Sequence, residues 1–120
     1  MSYDIHFCIR EKHTDELIVI GESYNITWNV RELIKQSSDW DIKNEATNGL
    51  AKDLVIKWQK GLKQLIDYPT AFKQYESPNG WGTIEGVKRL YRNLISEWNN
   101  LTDEYGRYSK LVPYIEIYVD

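Results

Sequence analysis

The chain predicts an α+β domain: a small antiparallel sheet, made of an N-terminal hairpin and a C-terminal strand, covered on one face by three main helices. Three observations predict it. Residues 3–10 and 111–119 alternate apolar and polar side chains, as half-buried strands do. Residues 49–67 and 84–101 carry apolar stripes at helical spacing. Strands and helices come in blocks, without the strict alternation of a parallel α/β sheet. At 120 residues the chain fits one domain spanning 1–120.

The first strand places Tyr3, Ile5, Phe7 and Ile9 on one face, and Asp4, His6, Cys8 and Arg10 on the other. A five-residue polar link, 11–15, leads to a second strand at 16–22 with a denser apolar run, which reads as a hairpin. Asn25 or Thr27 then caps a helix running to about residue 37, with Val30, Leu33 and Ile34 as its stripe. Residues 38–48 are polar around Trp40 and Ile42 and read as a loop. In the helix at 49–67, Leu50, Leu54, Trp58, Leu62 and Leu65 recur every three or four positions. Gly61 interrupts it at a propensity cost of about 1 kcal/mol and lets another backbone come close. Pro69 stops it, and residues 70–76 form a short helix presenting Phe72 and Tyr75.

The segment Ser77-Pro78-Asn79-Gly80-Trp81-Gly82-Thr83 follows. A turn needs no tryptophan, so Trp81 is either a core plug or a surface anchor. Thr83 suits a helix cap, and the next stripe (Ile84, Val87, Tyr91, Leu94, Trp98, Leu101) begins beside it. Trp81 is therefore expected to pack across the helix start in the manner of a hydrophobic staple. Residues 102–110 are a polar loop. The last strand, 111–119, carries Pro113, which cannot donate to a ladder and so marks an edge or bulge. It is expected to return and pair with the hairpin.

Composition narrows the function. The net charge is −3, which argues against a nucleic-acid scaffold. Lys52, Lys57, Lys60 and Lys63, with Lys88, Arg89 and Arg92, could form a basic ridge, but amphipathic helices ordinarily carry such residues outside. Five Trp and nine Tyr in a small chain favour interface anchoring, since each joins a large apolar face to one polar group. The single cysteine excludes an internal disulfide, which suits a reducing compartment. No apolar run reaches the ~20 residues of a membrane helix. The first residues show no basic-then-apolar leader, so a cytoplasmic location without membrane attachment is expected.

Catalytic and metal chemistry find little footing. Two histidines, His6 and His13, and Cys8 make no pair of pairs at ligand spacing, so no metal or cofactor is expected. The carboxylate pairs Asp39/Asp41 and Asp103/Glu104 lie in polar, solvated segments, and no catalytic residue is assigned.

Two segments, Tyr24-Asn25-Ile26-Thr27-Trp28-Asn29 and Asn79-Gly80-Trp81-Gly82-Thr83, flank a helix containing Lys60-Gly61-Leu62. In that order, residues 23–95 resemble a group of small uncharacterised phage, prophage and bacterial proteins with N-I-T-x-N and N-G-W-G-T segments. The resemblance implies a mobile-element setting and no reaction.

The leading expectation is an acidic protein-binding module that is not an enzyme. It would inhibit a bacterial defence protein or nucleoprotein, in the manner of an anti-CRISPR or other anti-defence inhibitor. Its contacts are expected at Trp40, at Asp103, Glu104, Tyr105 and Tyr108, and on the outer face of the last strand at Tyr114, Glu116 and Tyr118. A homodimer is compatible with the same surface. The alternatives are a small-ligand or enzymatic pocket formed by Asn25, Thr27, Asn29 and Trp81, and an immunity protein against a toxin.

Overall fold

A computed structural model describes residues 1–120 as an α+β fold. Four strands, β1 (Ser2–Arg10), β2 (Leu17–Thr27), β3 (Ala46–Leu50) and β4 (Glu116–Val119), form one sheet in the order β2-β1-β4-β3. All three pairings are antiparallel. The helices α1 (Arg31–Ser38), α2 (Ala51–Asp67) and α4 (Ile84–Thr102) cover one face, with a one-turn α3 (Pro69–Phe72) after α2. The C-terminal strand does return to the hairpin: β4 lies against β1, with Phe7 opposite Ile117 and Ile5 opposite Val119.

The core forms between the inner sheet face and the helices. Tyr3, Ile5 and Phe7 from β1 and Ile117 and Val119 from β4 meet Leu54, Trp58, Leu65, Val87, Leu90 and Leu94 from α2 and α4. Phe7 meets Trp58 edge-on at 5.9 Å, and Trp58 meets Trp40 at 5.8 Å. Each such ring pair adds about 0.5–1.5 kcal/mol beyond its buried area. What comes close at Gly61 is a side chain rather than another backbone: a Cβ there would lie 2.7 Å from the Tyr91 ring, whose hydroxyl pairs with Ser37 Oγ at 2.7 Å.

The hairpin turn is closed by Glu11, whose Oε2 accepts the N–H groups of His13 and Thr14, both at 2.6 Å. Those bonds hold its carboxyl below the ordinary range. Four expectations need correction. First, β2 does not stop at residue 22 but continues to Thr27. A bulge at Gly21, with φ of +66°, breaks the apolar run, and the strand resumes against Ser2–Ile5. Glu97, only 5 % exposed, sits beneath the bulge and accepts the N–H of Glu22. Thr27 still caps, but it caps a 3-10 turn at Trp28–Val30.

Second, residues 46–50 are a strand. Their polar Ala-Thr-Asn-Gly-Leu sequence carries no strand signal, and Asn48 makes the segment. Its Oδ1 accepts from Lys43 N at 2.8 Å and from Trp40 Nε1 at 3.1 Å, and its Nδ2 donates to Lys43 O and Ala46 O. Third, only the second half of 111–119 is strand. Residues Ser109–Tyr114 wind into a 3-10 turn containing Pro113, which removes Tyr114 from the sheet. Fourth, Cys8 is buried even though it lies on the face away from the helices.

Candidate functional site

The helices leave the other sheet face uncovered, and cross-strand register determines what it displays. Thr27 pairs with Ser2 and Asn25 with Asp4 at one end. His6 pairs with Tyr118 at the middle, and Cys8 pairs with both Val19 and Glu116. Arg10 and Leu17 close the other end.

At the Arg10 end lies a cleft of about 760 Å³, lined by Ile9, Arg10, Lys12, Leu50, Leu111, Tyr114 and Glu116. Arg10 and Glu116 form a two-pronged ion pair, Nε to Oε2 at 2.6 Å and Nη2 to Oε1 at 3.1 Å. The hydrogen bond to Glu116 pushes the Arg10 guanidinium up from its already basic value. This pairing spends the cleft's one carboxylate, whereas Lys12 stands exposed without an ion-pair partner. Tyr114 is 68 % exposed, in a lining that joins the aliphatic Ile9, Leu50 and Leu111 to the charged Arg10, Lys12 and Glu116.

At the opposite end, a second cleft of about 510 Å³ gathers Ser2, Asn25, Thr27, Asn29, Asn79 and Trp81 beside Met1. The 77–83 loop is seated here through Gly82, where a Cβ would lie 3.0 Å from the carbonyl carbon of Asn29. Asn79 Oδ1 accepts from Ser77 Oγ at 2.7 Å and from Trp81 N at 2.9 Å, so the loop has a defined shape. Trp81 does not plug the core. It is 68 % exposed, and the loop residue that packs is Gly82, against Asn29 and Val30 just before α1.

Between the clefts, His6 bridges three strands. Its Nδ1 lies 2.6 Å from Ser23 Oγ and its Nε2 lies 2.8 Å from Asp120 Oδ1, with Tyr118 stacked at 6.4 Å. Hydroxyl, imidazole and carboxylate stand in the order that hydrolytic triads use. None of the clefts is lined by Ser23, His6 or Asp120. The line clasps β2, β1 and the end of β4. Sequence reading missed it because its members are separated by 17 and 114 positions.

The remaining expected contacts divide. Trp40 cannot meet a partner: it is 2 % exposed, and its indole N–H is spent on Asn48. Asp103, Glu104 and Tyr105 are exposed on the turn after α4, and Tyr108 is half-buried with the Arg107 guanidinium 5.7 Å from its ring. Glu116 and Tyr118 face outward on β4, but only Glu116 joins Tyr114 in a cleft. Asn25, Thr27, Asn29 and Trp81 are brought together. The basic ridge is broken up: Lys63 pairs with Asp67, Lys88 with Glu85, and Lys57 donates to Asp39 O. No three His, Cys, Asp or Glu side chains gather as metal ligands. No helix is long and apolar enough to cross a membrane. No family model, curated protein or solved structure matches this chain.

Proposed function

We propose that the chain is a small protein-binding module, non-enzymatic and of mobile-element origin, that inhibits a bacterial protein or nucleoprotein by seating one of its segments in the cleft below Tyr114. The observation that carries this reading is the exposed Tyr114 sharing one cleft with the aliphatic Ile9, Leu50 and Leu111. Large rings beside desolvated aliphatic floors are where binding energy concentrates. The charge balance selects the occupant. Glu116 is neutralised by Arg10, and Lys12 is free, so the cleft suits an apolar segment carrying an acidic residue. The exposed Asp103, Glu104 and Tyr105 lie on the turn leading into Ser109–Tyr114 and are further candidate contacts of this reading. The resemblance of residues 23–95 to phage and bacterial proteins supports the mobile-element setting, and the buried lone thiol of Cys8 is compatible with action in a cytoplasm.

Photo-crosslinking tests the proposal. A benzophenone side chain replaces Tyr114 in one chain and Tyr68, which is 60 % exposed on the helical side, in another. An adduct with one bacterial protein is expected from position 114 and not from position 68. With that protein purified, Tyr114→Ala should weaken binding by about 2 kcal/mol or more. Lys12→Glu should weaken it further as salt is lowered. Equal adducts from both positions, or unchanged affinity of Tyr114→Ala, would overturn the reading.

A further inference from the structure

We propose that the second cleft, at the asparagine end of the sheet, is a binding site for a neutral saccharide. Three asparagines at this cleft keep unused hydrogen-bonding valence. Asn25 Nδ2 donates to Ser2 Oγ at 2.9 Å and to Asp4 Oδ1 at 2.7 Å. Asn29 Nδ2 donates to Thr27 Oγ1 at 3.1 Å. Both side chains are thereby oriented with Oδ1 left as an acceptor without an internal partner. Asn79 is oriented the other way. Its Oδ1 takes the Ser77 hydroxyl and the Trp81 N–H, which leaves its Nδ2 group as a donor. Two acceptors and one donor of fixed orientation thus stand around an exposed indole.

The two walls meet at Asn29. Thr27 Oγ1 accepts the backbone N–H of Asn29, and Gly82 rests on the Asn29 backbone, which seats the 77–83 loop beside the end of β2. A site assembled before its ligand arrives loses less entropy on binding. At about 510 Å³ the cleft is of a size that takes small ligands.

The chemistry of the lining selects the ligand class. No Asp, Glu, Lys, Arg or His side chain lines this cleft, and the only charge at it is the α-amino group of the exposed Met1, a single cation with no second one beside it to grip a phosphate or carboxylate. A pyranose satisfies what is present. Its C–H face covers the indole, and its hydroxyls both donate to Asn25 Oδ1 and Asn29 Oδ1 and accept from Asn79 Nδ2. A nucleobase would also stack, but a polynucleotide brings phosphates that need cations. Here the nearest ionised side chain bonded to the lining is the carboxylate of Asp4.

The test is a titration of the full chain, followed by 1H–15N spectra. The probes are methyl glycosides and trisaccharides of glucose, galactose, mannose and N-acetylglucosamine, with adenosine and adenylate as comparison arms. At least one neutral glycoside is expected to move the Trp81 indole N–H and the side-chain amides of Asn25, Asn29 and Asn79, with millimolar or tighter Kd. Trp81→Ala should abolish those shifts and Trp81→Phe should keep part of them. Asn79→Asp, which replaces the donor by an acceptor, should weaken binding about tenfold or more. The proposal is overturned if no glycoside moves these resonances, if adenosine or adenylate binds them more tightly than every glycoside, or if Trp81→Ala binds as the parent does.

Discussion

Trp40 and Trp58 lie with ring centroids 5.8 Å apart in the same core, yet only Trp40 has its indole N–H bonded. Trp58 Nε1 is buried and has no partner. An orphaned buried donor costs about 1–3 kcal/mol, whereas a satisfied one contributes about 1 kcal/mol. Substitution by Phe therefore acts oppositely on the polar part of each residue. Trp40→Phe leaves Asn48 Oδ1 short of a partner and loosens the strand that Asn48 organises. Trp58→Phe removes an orphan and loses only packing. Urea unfolding should show Trp40→Phe to be the more destabilising change, by about 1 kcal/mol or more. Equal losses would mean that a water inside the core already serves Trp58.

Gly61 sits where α2 passes Tyr91 of α4. A methyl group there would come within 2.8 Å of both the Tyr91 ring and Ser38 Cβ. In an open helix Gly→Ala stabilises by up to about 1 kcal/mol. Here the sign reverses, because Tyr91 is held by Ser37 Oγ and Ile34 O and cannot swing aside. Gly61→Ala should cost about 1–3 kcal/mol, as overpacking does. Pairing it with Tyr91→Leu should recover part of that loss, and a double-mutant cycle measures the coupling.

What was legible in the sequence divides along chain distance. The stripes of α2 and α4 and the alternation of β1 are local patterns, and they appear where the periodicities place them; the pairing of β4 with β1 is long-range and followed from the block order of the elements. The strand at Ala46–Leu50 was not legible, because its cause is a set of side-chain bonds to Asn48 and a pairing with β4, some 70 residues away in sequence. Trp40 looked like a surface ring because its neighbours Asp39 and Asp41 are polar. Asp39 adopts a left-handed conformation that turns the chain and aims the ring inward. The asparagine cluster is legible as a candidate pocket, whereas the staple expected of Trp81 is absent: the residue is exposed, and Gly82 packs on Asn29 and Val30 instead. A stripe starting at Ile84 shows that something must pack beside it and does not say which residue does.

Cys8 supplies a pH dependence with a definite sign. Burial, aided by the negative charges of Glu116 and Asp120, pushes its thiol up to about 11 from 9.0. Below pH 9 the thiol is protonated in both folded and unfolded chains and contributes no slope. Between pH 9 and about 11 the unfolded chain gives up the proton while the folded chain keeps it. The unfolded state then binds fewer protons, and stability falls as pH rises. The difference in stability between the parent and Cys8→Ala, measured by urea unfolding, should be flat to pH 9 and then shrink or turn against the parent. A thiol reagent at pH 8 should label the native chain far more slowly than the chain in denaturant.

The final prediction separates the roles of two neighbours in the 77–83 loop. The Trp81 ring is mostly solvated, so Trp81→Ala removes little buried area and should move Tm by no more than a degree or two. Gly82 has φ of +123° and lies against the Asn29 backbone, so a side chain there meets both backbone strain and a clash. Backbone strain of this kind costs about 1–3 kcal/mol, and for a domain of this size each kcal/mol moves Tm by roughly 4 °C or more. Gly82→Ala should therefore lower Tm clearly while Trp81→Ala does not. Calorimetry on the two variants decides between the exposed ring and the seated glycine as the structural part of this loop. A Trp81→Ala chain that melts several degrees early would return the ring to the core.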